Sequence, residues 1–407
     1  MTPKRILMLD KLVGKPACAL LSVIEAVRRF FSGQRHVSPP KRIVFVKLIE
    51  MGSTVLACPA FKEASKLVGK NNMFFLAFEQ NRPIVDLLPY FKPENIITID
   101  DSNLPKFISG LWRAMIRMRR EKIDAAIDME GLTRSSAIIT YLTGARHRVG
   151  YYNFTSEGPY RGRLFTHELN YSFQHHISRS FTALVRALKA PASQTPMLKE
   201  QIKNEKELPQ FKPEDKDKKE VRSILTAQYE KIFDGKIVLL NPNCSDLLPL
   251  RRWPTENFIE LGKQILSNFP NTAIVITGAP GEREEAEKIA AMIGEKPRVF
   301  SLAGETTMRQ LLTLYCLSDL LITNDSGPCH FAALTSINGI ALFGPETPTL
   351  YSPLSKQIKP ITAGLSCSPC VNMLNHRFSP CIDNKCMQNI PVDEVYGEAA
   401  ARLGSVI

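Results

Sequence analysis

Between Arg42 and Leu48 the chain reads RIVFVKL, a β-branched apolar run that stops at Glu50-Met51-Gly52-Ser53 and gives way to helical spacing through Leu67. The pattern predicts strand, loop and helix. The alternation recurs as apolar Met73–Phe78 and Ile96–Ile99, helical Leu104–Arg120, apolar Ile123–Ile127, helical Leu132–Leu142 and apolar Arg148–Gly150. From about Pro191 to Gly235 it dissolves into a charged stretch containing KNEKELPQFKPEDKDKKE, too poor in apolar residues to build a core. It restarts at Lys236–Asn241 (KIVLLN), with helix Glu256–Ser267, strand Ala273–Thr277, helices Glu282–Ile293 and Met308–Leu317, strand Leu320–Thr323, a helix after Gly327 and strand Ile340–Phe343.

Continuous short apolar runs alternating with helices predict parallel sheets covered on both faces. The fold class expected is therefore α/β, with two doubly wound, Rossmann-like domains at 41–190 and 236–407. A charged linker at 191–235 joins them. Ligands of such sheets bind beyond the carboxyl ends of the strands, here in a cleft between the domains.

The first forty residues form a separate extension. Ala17–Phe31 is apolar and flanked by Lys4, Arg5, Lys11, Lys15, Arg28, Arg29 and Arg35, and Glu25 interrupts it. It is too short to span a bilayer, and it leads into Arg28-Arg29-Phe30-Phe31 rather than a small-residue cleavage site. Leu20, Leu21, Ile24, Val27 and Phe31 fall on one helical face. That face suits either an anionic membrane leaflet or the protein's own surface, and the basic flanks favour the leaflet.

Composition narrows the class. The 407 residues, 44% hydrophobic and 23% charged, are those of a globular protein, and disordered, collagen-like and polytopic membrane classes are excluded. Lys and Arg outnumber Asp and Glu by 52 to 40, giving +12, which favours anionic partners. Nucleic acid is disfavoured because the basic residues show no aromatic interleaving and no recognised binding module. The nine cysteines form one cluster and five singles, the pattern of a reducing, cytoplasmic compartment.

Candidate chemistry sits at the predicted strand ends. In LLITNDSGPCHFAALTSINGIALFGP (Leu320–Pro345) a strand ends at Asn324-Asp325-Ser326-Gly327 and a helix begins at once. Asp325 or Ser326 can cap it, Gly327 admits a close ligand, and the helix start favours an anion such as a pyrophosphate. A capped turn without ligand has the same signature, but His330 and the neighbouring Phe343-Gly344-Pro345 turn point to one site. In NPNCSDLLPLRRWP (Asn241–Pro254), Ser245 and Arg251 suit phosphate oxygens; the plainer alternative buries Trp253 and leaves Arg251 and Arg252 in water. Thr277–Glu282 (TGAPGE) offers Glu282 to a ribose hydroxyl.

Together these residues resemble glycosyltransferase family 9, which includes the ADP-heptose lipopolysaccharide heptosyltransferases. The resemblance runs from Arg42 to Val395 through VKLIEMGSTVLACPAF, DMEGLTRSSAIITYLTGARHRVGY, NPN with RRWP, TGAPGE and NDSGPCHFAAL with ALFGP. It implies a GT-B fold with an acceptor-side N-terminal domain and a C-terminal domain that binds the nucleotide-sugar. It also implies inverting transfer without a catalytic metal, from an ADP-linked donor to a lipopolysaccharide or related glycolipid at the inner membrane's cytoplasmic face. Asp325, Ser326, Gly327 and His330 fall on the family's donor loop, Ser245 and Arg251 on its phosphate stretch, and Glu282 near its ribose position. The basic patches Arg113–Arg120 and Arg146–Arg163 are available to a phosphorylated acceptor, or are solvated faces. Another nucleotide-sugar donor, epimerase chemistry and an inactive nucleotide-sugar-binding scaffold are the alternatives.

The resemblance breaks on the acceptor-side loop. The family carries Asp after the loop glycine, and this chain has Gly52-Ser53, although serine cannot deprotonate an acceptor unaided. Glu50 is the favoured base. Asp128 or Glu130 from the next strand end, or a loss of activity, are the other readings. Finally, Cys367, Cys370, Cys381 and Cys386 have the spacing C-x2-C-x10-C-x4-C, open to a structural Zn²⁺ or to packed free thiols.

Overall fold

The structure, a computed structural model, describes residues 10–32, 38–131, 133–152, 160–190, 194–203, 208–244, 248–375 and 378–404. It divides into two units, Met1–Glu205 with Asn372–Arg377, and Lys206–Val371 with Phe378–Ile407.

The first unit is built on β1 (Ile43–Val46), β2 (Met73–Phe78), β3 (Ile96–Ile99), β4 (Ala125–Asp128), β5 (His147–Tyr152) and β6 (His167–Asn170). All pair in parallel in the order β3-β2-β1-β4-β5-β6. Every residue of β1 and β2 is buried, as the continuous apolar runs predict. Its α-helices longer than one turn are α1 (Lys15–Ser32), α2 (Met51–Leu56), α3 (Cys58–Val68), α4 (Leu104–Arg120), α5 (Arg134–Leu142) and α6 (Ile177–Arg186). The single helix expected through Leu67 is thus two, α2 and α3, with Pro59 in the first turn of the second, where its missing N–H costs nothing.

The second unit repeats the plan. Strands β7 (Lys236–Asn241), β8 (Thr272–Ile276), β9 (Val299–Ser301), β10 (Leu320–Asn324), β11 (Asn338–Phe343) and β12 (Ile358–Thr362) lie in the order β12-β11-β10-β7-β8-β9, all parallel. Its α-helices longer than one turn are α7 (Asp215–Gln228), α8 (Thr255–Asn268), α9 (Arg283–Ile293), α10 (Met308–Cys316), α11 (Gly327–Ala332) and α12 (Val392–Leu403). Val238, Leu240, Ile274, Ile322 and Ile340 from the sheet pack with Phe258 and Leu261 of α8. In each sheet the chain reverses direction of winding between two neighbouring strands, β1 and β4 in one and β7 and β10 in the other. Those two switch points are where doubly wound sheets bind ligands.

Two expected boundaries change. The stretch 191–235 is not linker throughout, because α7 occupies 14 of its residues. Val221 and Leu225, four apart within the charge run, are buried, and Asp217 accepts from Arg309 of α10 at 3.0 Å. The 1–40 extension is likewise not separate. Cys18 packs with Ala137, Leu164 and Phe165, and the buried Glu25 accepts from the buried Arg148 at 2.8 Å. Gly162, at φ 66°, lets α1 settle, since a Cβ there would come within 2.7 Å of the Cys18 carbonyl. The side of α1 that carries Cys18, Leu21 and Glu25 therefore faces the protein, Leu21 leaving the apolar face expected of it, while Leu20, Val23, Ile24, Val27, Phe30 and Phe31 are exposed, the last two above 80%.

Candidate functional site

At the first switch point β1 and β4 end side by side, with Val46 in register with Asp128. The carboxylates beyond them have separate duties. Glu130 is buried, and its Oε1 accepts from the backbone N–H groups of Leu48 and Ile49 at 2.5 and 3.0 Å. Asp128 is wholly buried; it accepts from the Glu130 N–H and the Ser136 hydroxyl, each at 2.9 Å, and from Arg161. Burial raises its carboxyl despite the guanidinium. Both hold the turn together.

Glu50 differs. It immediately precedes α2 at φ 69°, a left-handed conformation that costs a non-glycine residue and so marks a position fixed by its surroundings. Its carbonyl is held by the Thr54 N–H at 3.1 Å and the Ser53 hydroxyl at 3.1 Å. The same Ser53 hydroxyl lies 3.1 Å from the Glu50 carboxylate, whose side chain retains 22% exposure. Lys47, a cation within the apolar run of β1 and its end, is buried, with Nζ 3.4 Å from Glu130 and 3.6 Å from Glu50. Gly52 is buried in α2.

At the second switch point, between β7 and β10, Asn324 joins the two strand ends. Its amide donates to the Pro242 carbonyl at 2.6 Å, and its Oδ1 accepts from the Trp253 N–H at 3.0 Å. Trp253 is buried against Phe258 and donates its indole N–H to Ile390. The loop bearing Arg251 is thereby fixed over the end of β10. Arg251 is not solvated, as the plainer alternative had it. Its Nη1 sits 3.9 Å from both Asp325 Oδ2 and Glu346 Oε2, and both acids are buried. Burial, with Asp325 beside it, pushes the Glu346 carboxyl up to about 8. Burial also raises Asp325 against the pull of Arg251, and a hydrogen bond links the two acids. Two buried acids this close resist ionising together, so a proton is held between them.

The other expected donor-side residues are placed as follows. Ser326 stands at the N-cap of α11, but its hydroxyl donates back to the Asn324 carbonyl at 3.3 Å instead of capping. Asp325 does not cap the helix either. The helix α11 is only six residues long, so its dipole is weak and Arg251 is the main fixed positive charge. Gly327 lies against Phe331, whose ring a Cβ would meet at 2.9 Å. His330 is buried on α11. Ligand atoms of Asp325, Cys329 and His330 lie within 4.8 Å of one another, and burial raises the Cys329 thiol. Among the described residues, Cys367, Cys370, Cys381 and Cys386 do not come together in this way. Glu282 is half-buried and accepts from the Ala279 N–H at 2.7 Å. Ser245 lies outside the described residues.

Sequence reasoning missed Lys47 and Glu346. Their signals were a lysine inside a strand-like apolar run and an acid directly after a strand-end Gly-Pro.

Residues 111–378, more than half of the chain, match the model of glycosyltransferase family 9 (heptosyltransferase). The chain belongs to glycosyltransferase family 9. Within this family, it is 32% identical over 166 residues to lipooligosaccharide heptosyltransferase 2 of Campylobacter jejuni, a stretch covering 40% of this chain and 50% of that protein. The chain thus spans about half the length of that curated relative. A longer alignment, 24% identical over 327 residues, covers 77% of the chain and 82% of the lipopolysaccharide core heptosyltransferase OpsX of Haemophilus influenzae. The solved ADP-heptose lps heptosyltransferase II of E. coli superposes with a TM-score of 0.67 at 19% identity, over 89% of this chain and 98% of that one. The fold of this family 9 chain is accordingly α/β of GT-B type, with two Rossmann-like sheets.

The acid pair has a measurable consequence. Glu346 sits well above its ordinary value of 4.5. Between that value and about 8 the folded chain holds more protons than the unfolded one, so this group's contribution to stability falls as pH rises. Glu346→Gln keeps a hydrogen-bond donor for Asp325 and cannot ionise. Its melting temperature should gain on wild type steadily from about pH 5 to about pH 8; a pH-independent difference would contradict the shared proton.

Proposed function

We propose that this protein is an inverting glycosyltransferase that moves a heptose from an ADP-linked donor to a lipopolysaccharide or related glycolipid. The reading rests on family membership, and the observation that gives it chemistry is Arg251, its side chain 13% exposed beside two buried acids at the β7–β10 switch point. A diphosphate placed there meets a fixed cation whose acidic neighbours can hold a proton. The acceptor oxygen forms its bond to the anomeric carbon as the bond from that carbon to the phosphate oxygen breaks. Its proton passes to Glu50, and the nucleoside diphosphate leaves with its charge balanced by Arg251. Asp325, Ser326, Gly327 and His330 would shape the donor pocket, Ser245 would add a phosphate contact and Glu282 a ribose contact. Glu50 is preferred over Asp128 and Glu130 because those two are consumed by internal hydrogen bonds, while Glu50 is reachable and Ser53 orients it. No metal is needed for this step.

The exposed apolar face of α1, with Arg28 and Arg29 about half exposed beside it, supports peripheral attachment to an anionic inner-membrane leaflet from the cytoplasmic side. No described helix is long and apolar enough to cross a membrane. The arginine patches contribute less than their count suggests, since Arg148 and Arg161 are buried in ion pairs with Glu25 and Asp128.

The test is transfer from ADP-heptose, against UDP- and GDP-sugars, to lipid acceptor from a strain lacking the protein, with co-sedimentation on anionic and neutral vesicles. Donor binding without turnover on any acceptor would replace the transferase by a scaffold. Equal binding to both vesicle types would remove the anionic leaflet.

A further inference from the structure

Helix α4 has apolar residues on two sides. On one, Ala114, Met115 and Met118 close the core against Val44, Val46 and Leu76 of the sheet. On the other, Leu104, Ile108 and Trp112, spaced four apart, are 52%, 57% and 66% exposed. With Pro105 and Ser109 they line a shallow, open hollow. A single exposed apolar side chain needs no explanation, but a row of three that ends in tryptophan marks a docking face.

The charges beside the row are of one sign. α4 carries Lys106, Arg113, Arg117, Arg119 and Arg120 and no acidic residue. Lys106 pairs with Asp100 at 3.0 Å, and Arg117 donates to the Glu94 carbonyl. Arg113, Arg119 and Arg120 are exposed. Arg113 and Arg120, seven apart, run beside the apolar row, and Arg119 extends it two turns beyond Trp112. An arginine stem can lie along an apolar interface while its guanidinium reaches a phosphate.

The place of α4 in the fold selects a lipid surface as the occupant. α4 and α5 cover the same face of the first sheet, because Met115 and Met118 of one and Ile139 of the other share a core with Val44 and Ala126. Arg148 of β5 points to that same face, since it is in register with Ala126, which is in register with Val44. Glu25 of α1 holds Arg148 at 2.8 Å, and Cys18 of α1 packs on Ala137 of α5. α4, α5 and α1 are therefore one layer on one face of the sheet. The exposed rows of α4 and α1 look outward from that layer on the same side, each bordered by arginines. A broad apolar face with a cationic margin matches an anionic bilayer.

Resting on the leaflet attachment proposed above for α1, we infer that α4 is a second membrane anchor, which sets Leu104, Ile108 and Trp112 among the lipids while Arg113, Arg119 and Arg120 meet the phosphates of the headgroups. Two anchors on one rigid unit bind together more tightly than either alone, and they fix which side of the first sheet faces the leaflet.

Tryptophan emission reads α4 directly, because the chain has two tryptophans and the other, Trp253, is 1% exposed in the second unit. The full chain added to vesicles of equal parts phosphatidylglycerol and phosphatidylcholine should co-sediment, and its emission should shift to the blue. Phosphatidylcholine brominated on its acyl chains should quench that emission, and Trp112→Phe should lose both the shift and the quenching. Arg113→Gln/Arg120→Gln, both at exposed positions, should weaken vesicle binding by roughly fivefold for each arginine removed. Co-sedimentation with neither shift nor quenching would overturn the α4 anchor and leave α1 as the attachment, whereas no co-sedimentation at all would remove both. A blue shift that grows with protein concentration in the absence of lipid would also overturn it, by making this face a contact between copies of the chain. The wild-type measurement decides these outcomes even if a variant fails to fold.

Discussion

Glu50→Gln should lower the rate of sugar transfer by roughly 10²–10⁴-fold, the usual contribution of a positioned general base, while ADP binds as before. Binding is expected to survive because Glu50 belongs to the first unit, whereas Arg251, Asp325 and Glu346 belong to the second. The isosteric amide keeps the contact with Ser53 and the left-handed backbone, so folding should be spared. Ser53→Ala is the companion variant. Ser53 is a positioning residue, and losing its hydroxyl removes a hydrogen bond to the ionised carboxylate. The rate should then fall by less than in Glu50→Gln, because the carboxylate itself remains. Single-turnover rates with saturating donor, together with a pH profile, measure both. Full activity in Glu50→Gln would return the role of base to another group and leave the strained loop without a catalytic reason.

The doubly wound fold was legible because strands of a parallel sheet buried on both faces read as near-continuous apolar runs, and IVFV, MFFLAF and the IVLL of KIVLLN are such runs without a helical alternative of similar length. The turn from β10 into α11 was legible for a related reason. A strand that stops at Asn-Asp-Ser-Gly and restarts as a helix leaves few places for its polar atoms except a strand-end site. What escaped was pairing at a distance. The charge run hid α7 because its two buried apolar residues, Val221 and Leu225, become visible only once α10 lies against the helix. Nothing local distinguished Arg251 from Arg252. One lies between two buried acids and the other donates to the Cys244 carbonyl, a difference set by Asn324 fixing the loop from another strand. Glu346 reads as a surface acid until β10 and β11 set it beside Asp325. Likewise, Asp128 and Glu130 qualify as bases by residue type and lose that standing only when their hydrogen bonds are drawn.

Arg251→Met should be the most damaging substitution on the donor side. Methionine fills much of the space but leaves Asp325 and Glu346 buried without their cation, and removing one partner from a buried charge cluster costs about 3 kcal/mol or more. Two effects should separate by pH. Folding stability should be lost chiefly at alkaline pH, where the acid pair is driven toward double ionisation, and partly recovered near pH 6, where about one proton or more stays on the pair. ADP affinity should not recover with it, because the missing group is the diphosphate's positive partner. A loss of roughly 10²-fold is expected at a pH where the variant is folded, from the size of a buried charge-assisted contact. Arg251→Lys should regain part of the affinity, since it restores the charge without the guanidinium's paired donors. Calorimetric titration with ADP beside melting curves at both pH values distinguishes these outcomes. If Arg251→Met binds ADP normally while folded, the diphosphate does not sit at this switch point, and the arginine serves only to neutralise the two acids.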